Sequence, residues 1–266
     1  MFQEIIYQHK KIVYQIFGNG KAVLLVHGFG EDSSIWRNQI DFLKENFLLI
    51  IPDLPGSGES EIIDDMSMEG MAKLLKEIIQ LEHIKEKINV FGHSMGGYIC
   101  LAFAEKFPEL INSFGLIHST AFSDSEEKIE TRKKGIDFIL KYGASEFIKT
   151  TTPNLFSEQT QNQNPDLIAE QIQLSSYFST DALIQYYQQM IARPDRTTIL
   201  KNSTFPILFI AGEQDKAVPL SDVLKQCHLP DISYFHVLSN SAHIGMLEET
   251  DIHNRLLEWF LLRTDD

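Results

Sequence analysis

The chain has 266 residues, 43% of them hydrophobic and 23% charged, an ordinary balance for one large globular domain or one domain with an insertion. Its formal net charge of −14 opposes binding to nucleic acids and to anionic membranes, because such binding depends on Lys and Arg. The sequence has no apolar run of the roughly 18 residues needed to span a bilayer, so no membrane partner is expected.

Short apolar runs predict the strands of a sheet. Glu4–Tyr7 and Ile12–Phe17 open the chain, and no secretory signal is expected because Met1–Lys10 lacks an apolar core segment. Ala22–Val26 begins a series of short, continuous apolar runs, which is typical of strands covered on both faces. The later members of the series are Phe47–Ile51, Ile88–Phe91, Phe114–Ile117 and Pro206–Ile210.

Segments with helical spacing lie between these strands. The clearest has a broad apolar stripe formed by Met71, Leu74, Leu75, Ile78 and Ile79. Trp36–Glu45, Met95–Phe107 and Asp251–Leu262 also fit helices, with Thr250 as the expected N-cap of the last. Strands that alternate with helices predict a mostly parallel sheet with helices on both faces.

The alternation stops after Ser119 and resumes at Phe205. Residues 120–204 contain helical patterns and no convincing buried strand, and a structureless loop of that length is unusual in a compact domain. We interpret the segment as an insertion of about four helices, by the same spacing rule. The predicted organisation is a core of residues 1–119 and 205–266 with a helical insertion at 120–204.

A Gly-x-Ser-x-Gly pattern, from Gly92 to Gly96, lies between the strand at Ile88–Phe91 and an apolar helix. A serine on such a turn is held in strained geometry above the sheet, with the positive end of the helix dipole at the reacting centre. A glycine-rich packing turn is the alternative. The strand-turn-helix context favours Ser94 as a nucleophile.

Val26–Gly30 ends the strand that begins at Ala22 and contains two glycines. Acyl transfer needs two N–H donors for the developing oxyanion, one of them from a loop beside the nucleophile. The expected donors are the backbone amides of Phe29 and Met95. His27 is interpreted as a hydrogen-bonded scaffold residue.

A serine nucleophile needs a base, and the base needs an orienting carboxylate. Among nine histidines, His243 lies in a small polar loop before the final helix, where it can reach the edge of the sheet. Asp215 follows a buried strand and precedes a turn into a helix, which favours it over its rival Glu213. Surface or packing positions are expected for His228, His236 and His253.

Five stretches together resemble the α/β-hydrolase superfamily, in particular its capped esterase-like members, over nearly the whole chain outside the insertion. They are His27–Gly30, Pro52–Ser60, the Ser94 turn, Gly212–Pro219 and Ala242–Glu248. The order Ser94, Asp215, His243 is also that of the family. The resemblance implies a twisted, mostly parallel eight-stranded sheet, and a lid after the sixth strand at residues 120–204. It also implies that Asp53 and Gly56–Ser60 shape a structural turn.

Some residues depart from the family pattern. Glu31 and Asp32 follow the oxyanion loop where small residues are usual, so two negative charges are expected near the mouth of the site, where they would disfavour anionic substrates. Ala242 stands where glycine often precedes the base, and Thr250 where proline often begins the last helix. Neither change removes a catalytic group.

The predicted function is hydrolysis of small to medium, uncharged carboxylic esters through an acyl-Ser94 intermediate, without metal or organic cofactor. Thioesterases, carbon–carbon bond hydrolases and cofactor-free peroxidases share the triad and stay open as alternatives. A ligand-binding receptor or scaffold is the alternative of another class. Dehalogenases and epoxide hydrolases are excluded, since they need aspartate in place of Ser94. Reduced Cys100 and Cys227 indicate a cytoplasmic protein. These patterns do not determine the oligomeric state.

The lid is expected to carry substrate preference. It contains eight large candidates for a pocket above Ser94: Phe138, Phe147, Phe156, Tyr177, Phe178, Tyr186, Tyr187 and Met190. Most aromatic and Met side chains at helical spacing pack helices together. Pockets of this kind are mainly apolar, so at least two of the eight are expected to face the Ser94 hydroxyl.

Overall fold

One eight-stranded sheet organises residues 2–264, the part of the chain described by this computed structural model. The strands are β1 (Phe2–Tyr7), β2 (Lys10–Phe17), β3 (Lys21–Val26), β4 (Phe47–Pro52), β5 (Ile88–His93), β6 (Ile111–Ile117), β7 (Ile207–Gly212) and β8 (Ser233–Leu238). Their order is β1-β2-β4-β3-β5-β6-β7-β8. Only the β1–β2 and β2–β4 pairs are antiparallel among these strands. The predicted mostly parallel, eight-stranded fold is confirmed.

Helices cover both faces of this sheet. They are α1 (Arg37–Leu43), α2 (Met68–Leu81), α3 (Met95–Lys106), α4 (Glu126–Tyr142), α5 (Ala144–Thr151), α6 (Glu158–Gln163), α7 (Pro165–Leu174), α8 (Thr180–Ala192), α9 (Thr197–Lys201), α10 (Leu220–Leu224), α11 (Gly245–Glu248) and α12 (Thr250–Arg263). Short 3₁₀ helices occupy Ser33–Trp36, Pro108–Leu110, Thr152–Leu155 and Ser175–Tyr177. Within residues 2–264, no helix has the length and apolar character to cross a membrane.

The two faces of β3 show why its sequence is apolar throughout. Leu24 and Val26 join the hydrophobic cluster that contains α2 and α3. Val23 and Leu25 point the other way and join the cluster that contains residues of α12. Because successive side chains of a strand alternate between faces, a strand covered on both sides needs apolar residues at every position.

Two local expectations differ from the structure. Strand β6 begins at Ile111, three residues before the predicted Phe114, because its polar start is satisfied inside the sheet: the Ser113 hydroxyl donates to Asn89 Oδ1 over 2.7 Å. The expected N-cap at Thr250 was wrong. Thr250 is the first residue of α12, and its hydroxyl donates to the Met246 carbonyl at 2.9 Å.

The segment between β6 and β7 holds six α-helices, α4 to α9, where about four were expected from spacing. Several are too short for a full apolar period, for example α6, whose six residues include none that is buried. Tertiary ion pairs hold the segment in place. The Arg196 guanidinium binds Glu69 of α2, and it also binds Glu105 of α3 at 3.1 Å.

Asp124, just before α4, joins both ends of this segment. Its side chain has no exposed surface and accepts hydrogen bonds from Arg132 Nε at 2.5 Å and from Arg193 Nη2 at 2.9 Å. Burial opposes ionisation of this carboxyl, but the two guanidinium groups outweigh it and hold the pKa of Asp124 below its ordinary value. The unfolded chain therefore takes up a proton before the folded one does as the pH falls.

Asp124→Asn should lower the free energy of unfolding at pH 7 by about 3 kcal/mol, since it leaves the buried Arg193 and the partly buried Arg132 without their carboxylate. The stabilisation is complete above the ordinary carboxyl pKa and is lost below it, so the difference from wild type should shrink below about pH 4. Urea unfolding at pH 7 and pH 3 measures both. Asp137→Asn, at an exposed position of α4, is the control. A difference that is the same at both pH values would contradict this account.

Candidate active site

Ser94 lies on the sharp turn between β5 and α3. Its backbone has φ 50° and ψ −118°, a left-handed geometry that is costly for a residue with a side chain. The turn closes only because its flanking residues lack side chains: a Cβ on Gly92 would lie 2.4 Å from the Gly96 carbonyl carbon, and one on Gly96 would lie 2.4 Å from the Val26 oxygen. Ser94 thus lies just past the carboxyl end of β5, at that edge of the sheet.

A continuous chain of hydrogen bonds joins Asp215, His243 and Ser94. His243 Nδ1 lies 2.8 Å from Asp215 Oδ2, and His243 Nε2 lies 2.9 Å from Ser94 Oγ. Nδ1 faces a carboxylate and therefore carries the proton of the neutral ring. This leaves the Nε2 lone pair to accept the Ser94 hydroxyl proton.

The loop that carries His243 is held from two directions. The His243 amide donates to the Leu155 carbonyl at 2.9 Å, which connects the loop to the segment between β6 and β7. Glu248 Oε2 accepts from the Ala242 amide at 2.8 Å, and Glu248 Oε1 accepts from the Ser157 amide at 2.7 Å. These bonds fix the imidazole without a regular secondary structure.

Asp215 is almost completely buried and is held by its own turn. Its Oδ1 accepts the Ala217 and Val218 amides, each at 2.8 Å. Burial raises the pKa of the carboxyl, but the attraction of the neighbouring His243 and His118 rings and the hydrogen bond with His243 outweigh burial and hold the pKa well below the ordinary range. The rival Glu213 is exposed. The geometry therefore joins Asp215, and not Glu213, to the imidazole.

His118 is a neighbour that the sequence patterns did not indicate. It is fully buried with φ 47°, and its Nδ1 lies 3.5 Å from Asp215 Oδ2. Ligand atoms of His118, Asp215 and His243 lie within 4.8 Å of one another, the spacing of a metal site. A metal ion would take the Asp215 carboxylate and the His243 nitrogen that hold the hydrogen-bonded chain together, so the two chemistries compete for the same atoms.

The loop after β3 passes beside Ser94. Within residues 2–264, the amides of Phe29 and Met95 donate to no protein acceptor, whereas the amide of Gly28, the residue before Phe29, donates to Glu31 Oε2 at 2.8 Å. The Phe29 ring stacks on Tyr187 of α8, with centroids 4.3 Å apart. Tyr187 thus packs against this loop, and the amides of Phe29 and Met95 remain available to a ligand.

Glu31 corrects an expectation about charge. The sequence suggested that Glu31 and Asp32 place two negative charges at the mouth of the site. Glu31 is instead only 4% exposed and lies 2.8 Å from His93 Nδ1, while Asp32 accepts the Ser34 amide as a cap of the first 3₁₀ helix. Glu31 does line the cavity above Ser94, as expected, but its charge is paired with His93 and is not free. The contact with His93 joins residues 62 positions apart, and no local pattern contains it.

A cavity of about 570 Å³ opens above Ser94 and His243. Of the eight residues proposed for such a pocket, Tyr187 and Met190 line it, together with Phe29, Tyr98 and Leu155. The other six lie elsewhere in the described chain. Phe138 and Phe147 pack in the core beside Tyr187, Phe156 packs in the opposite cluster, Tyr186 is buried with its hydroxyl 2.8 Å from Ser57 Oγ, and Tyr177 and Phe178 line a different pocket near Phe2.

The cavity also has charged walls, unlike the mainly apolar pocket that was expected. Lys128, Arg132 and Lys216 line it with Glu127 and Asp222. Lys128 lies 3.7 Å from Asp222, and two nitrogens of Arg132 are occupied by Asp124. Charged side chains at helical spacing usually form a solvated face, so the sequence did not distinguish these residues.

Comparisons with known proteins agree with this geometry. A model of the alpha/beta hydrolase fold family matches residues 21–164. An uncharacterized protein of Mycobacterium tuberculosis is 34% identical over 105 residues, which are 39% of this chain and only 30% of that protein. The 3-oxoadipate enol-lactonase 1 of Acinetobacter baylyi is 24% identical over 260 residues, 96% of this chain and 94% of the relative. A thermophilic esterase from Thermogutta terrifontis superposes with a TM-score of 0.93 at 27% identity and covers 100% of both chains.

Proposed function

The chain belongs to the alpha/beta hydrolase fold family, and we propose that it is a serine hydrolase that cleaves carboxylic esters through an acyl-Ser94 intermediate. The observation that carries the proposal is the hydrogen-bonded chain from Asp215 through His243 to Ser94, on a strained turn below a cavity. The similarity to an esterase and to an enol-lactonase supports the same class of reaction.

The proposed reaction follows from the positions of these groups. His243 Nε2 accepts the hydroxyl proton as Ser94 Oγ attacks the ester carbonyl, and Asp215 stabilises the imidazolium that forms. The amides of Phe29 and Met95 donate to the developing oxyanion. His243 then protonates the leaving alcohol, the acyl group stays on Ser94, and a water molecule activated by the same imidazole releases the acid.

The acyl preference is part of the proposal. Small to medium chains suit a cavity of about 570 Å³. Charge alone does not restrict the enzyme to uncharged acyl chains, since Lys128, Arg132 and Lys216 line the cavity together with Glu31, Glu127 and Asp222. A panel of p-nitrophenyl esters should therefore include neutral acyl chains of increasing length and matched chains that end in a carboxylate.

Two measurements test the proposed class. The wild-type protein should hydrolyse short members of the ester panel, and a fluorophosphonate probe should form an adduct that mass spectrometry assigns to the peptide containing Ser94. A ligand-binding receptor or scaffold would give neither result. Labelling without turnover of oxygen esters would redirect the assignment to thioesters or carbon–carbon bonds, which use the same triad.

Asp215→Asn should lower kcat by about 10⁴-fold. The Asn amide would donate to Nδ1 and favour the tautomer with a proton on Nε2, which cannot accept a proton from Ser94. The matched control is Glu213→Gln, because Glu213 is exposed in the same turn and is the alternative acid. It should stay within a few-fold of wild type. Steady-state kinetics on one short ester check the pair, and the reverse ranking would assign the acid to Glu213.

We further propose that residues 120–204 act as a lid that sets substrate preference. The contacts that support it are those of Tyr187 with Phe29 and of Leu155 with the His243 amide, together with the position of Met190 in the cavity wall.

The two cysteines fit a cytoplasmic enzyme: Cys100 is buried, which raises the pKa of its thiol, and both are free.

Met190→Ala should enlarge the cavity and raise the preference for longer acyl chains, measured as a ratio of kcat/KM values, by about tenfold. Fluorophosphonate labelling of Ser94 should persist, because the reacting groups are untouched. Loss of the buried Met costs about 2–5 kcal/mol of stability, so the assay temperature must lie below the variant's Tm. Leu140→Ala, on the exposed side of α4, is the control. An unchanged ratio in Met190→Ala would contradict a role of this wall in substrate choice.

A further inference from the structure

A buried carboxylate and a buried imidazole connect two loops of the site. Glu31 Oε2 accepts the Gly28 amide at 2.8 Å and lies 2.8 Å from His93 Nδ1. The other ring nitrogen, His93 Nε2, lies 2.9 Å from the backbone carbonyl of His243. Both side chains are at most 5% exposed. The contacts therefore run from Gly28, the residue before Phe29, to the backbone of His243, whose side chain is the proposed base.

The hydrogen-bond partners determine the protonation of His93. A neutral imidazole has one N–H donor and one lone pair. Here both ring nitrogens face groups that accept: the Glu31 carboxylate on one side and a backbone carbonyl on the other. Both contacts are hydrogen bonds only when both nitrogens carry a proton. His93 is then an imidazolium ion that is paired with Glu31.

We propose that Glu31 and His93 form a positioning pair, in which the doubly protonated imidazole ties the oxyanion loop at Gly28 to the base loop at His243. This inference rests on the proposed hydrolase function. The position of His93 next to Ser94 in the chain means that one ion pair aligns the nucleophile turn, the oxyanion donors and the base. His93 does not line the cavity, and Glu31 lines it but has its Oε2 bonded to the Gly28 amide and to His93, so both act through the groups they hold.

The charges around His93 explain why the carboxylate is needed. The ring faces His243 and His118, with centroids 5.0 Å and 6.0 Å away, and it lies edge-on to Trp36 at 6.5 Å. Burial by itself lowers the pKa of His93, but the attraction and hydrogen bond of Glu31, helped by the His243 carbonyl and by Asp215, raise it above the ordinary value. His243 becomes cationic during the reaction, and an uncompensated His93 cation at this distance would oppose that step.

Glu31→Gln should separate the pair's function from simple space filling. Glu31 Oε2 accepts two hydrogen bonds. An amide oxygen at this place would keep both His93 contacts only if the ring stayed cationic without a counter-ion, since a neutral ring donates to this oxygen or to the His243 carbonyl but not to both. An amide nitrogen would face the Gly28 N–H. One connection is therefore lost. We expect kcat to fall about 10–100-fold, with KM changed less than about threefold, because oxyanion donors act mainly in the transition state.

Asp32→Asn is the matched control. It removes one negative charge from the neighbouring residue, and Asn caps a helix as well as Asp does. Its kcat and KM should stay within about twofold of wild type, since surface substitutions of this kind have small effects. A loss in Asp32→Asn equal to that in Glu31→Gln would attribute the effect to net charge and overturn the proposal.

NMR of the ring nitrogens tests the protonation directly. In ¹⁵N-histidine-labelled wild type at pH 8, one histidine should show two protonated ring nitrogens, and that signal should disappear in His93→Gln. In Glu31→Gln it should convert to a ring with one N–H. A single proton on His93 in active wild type overturns the pair, whereas absent turnover and absent labelling of Ser94 in wild type overturn the proposed function instead.

Coupling between the two residues gives a second test. The double variant Glu31→Gln/His93→Gln leaves no buried charge unpaired at this place. Its kcat should be no lower than the kcat of the less active single variant, because both changes break the same connection. Losses that multiply in the double variant would show that the residues act independently and would overturn the proposal.

Discussion

Ser94→Ala is expected to lower ester turnover by about 10⁵–10⁶-fold and to abolish labelling by the fluorophosphonate probe. The hydroxyl is the only atom of this residue that forms the proposed covalent intermediate, and its removal leaves the strained turn and the cavity in place. Residual turnover would come from the amides of Phe29 and Met95, which are backbone groups and remain. Kinetics on a short ester and mass spectrometry of the labelled protein measure the two effects.

Ser176→Ala serves as the control for this experiment. Its hydroxyl also makes a single hydrogen bond, to the Gln173 carbonyl at 2.7 Å, but it lies in the segment between β6 and β7 away from the cavity. Labelling and turnover should remain at the wild-type level. If Ser94→Ala kept full activity as a folded protein, the nucleophile would be another group, and the acyl-Ser94 mechanism would be wrong.

His243→Ala is expected to reduce kcat about as strongly as Ser94→Ala, because the two residues act as one unit. Without the imidazole, the Ser94 hydroxyl has no acceptor at 2.9 Å and no group protonates the leaving alcohol. The combined variant Ser94→Ala/His243→Ala should therefore be no less active than either single variant. Multiplying losses would indicate separate roles for the two side chains.

The matched control is His228→Ala, which removes an exposed histidine after α10. It should retain wild-type kinetics. Added imidazole should restore part of the activity of His243→Ala, since the cavity of about 570 Å³ reaches the vacated position. Two results would contradict the assignment of the base: a loss of activity in His228→Ala that added imidazole restores, or full activity of His243→Ala without imidazole.

The strands illustrate what local patterns predict well. Phe47–Ile51 was predicted from its continuous apolar run alone, and the structure extends it by one residue to Pro52. The pattern is informative because both faces of a central strand lose water, so every side chain is selected for burial. The predicted strand β6 began too late, because Asn112 and Ser113 are polar. In the structure both are satisfied by Asn89 on the neighbouring strand, a partner 23 or 24 residues away.

The segment from 120 to 204 shows the opposite case. Its helical character was predicted, but not its six α-helices or the direction of its side chains. Tyr187 faces the cavity and the adjacent Tyr186 is buried against Ser57 and the Pro55 carbonyl, although both are aromatic residues of α8. An amphipathic pattern indicates that a side chain leaves water; it does not indicate whether a protein neighbour or a cavity receives it.

The sequence by itself predicted seven of the eight strands in order and the main helices between them outside residues 120–204, and it identified the residues of the candidate triad. It could do so because strand periodicity and the glycine turn around Ser94 are local: both depend on backbone geometry within a few residues. Tertiary structure alone decided which charges are free and which are paired. Glu31 follows the oxyanion loop in the sequence as an exposed acid would, and only the approach of His93, 62 residues away, makes it an internal counter-ion. A buried charge is stabilised by its partner in space, and no run of neighbouring residues specifies that partner.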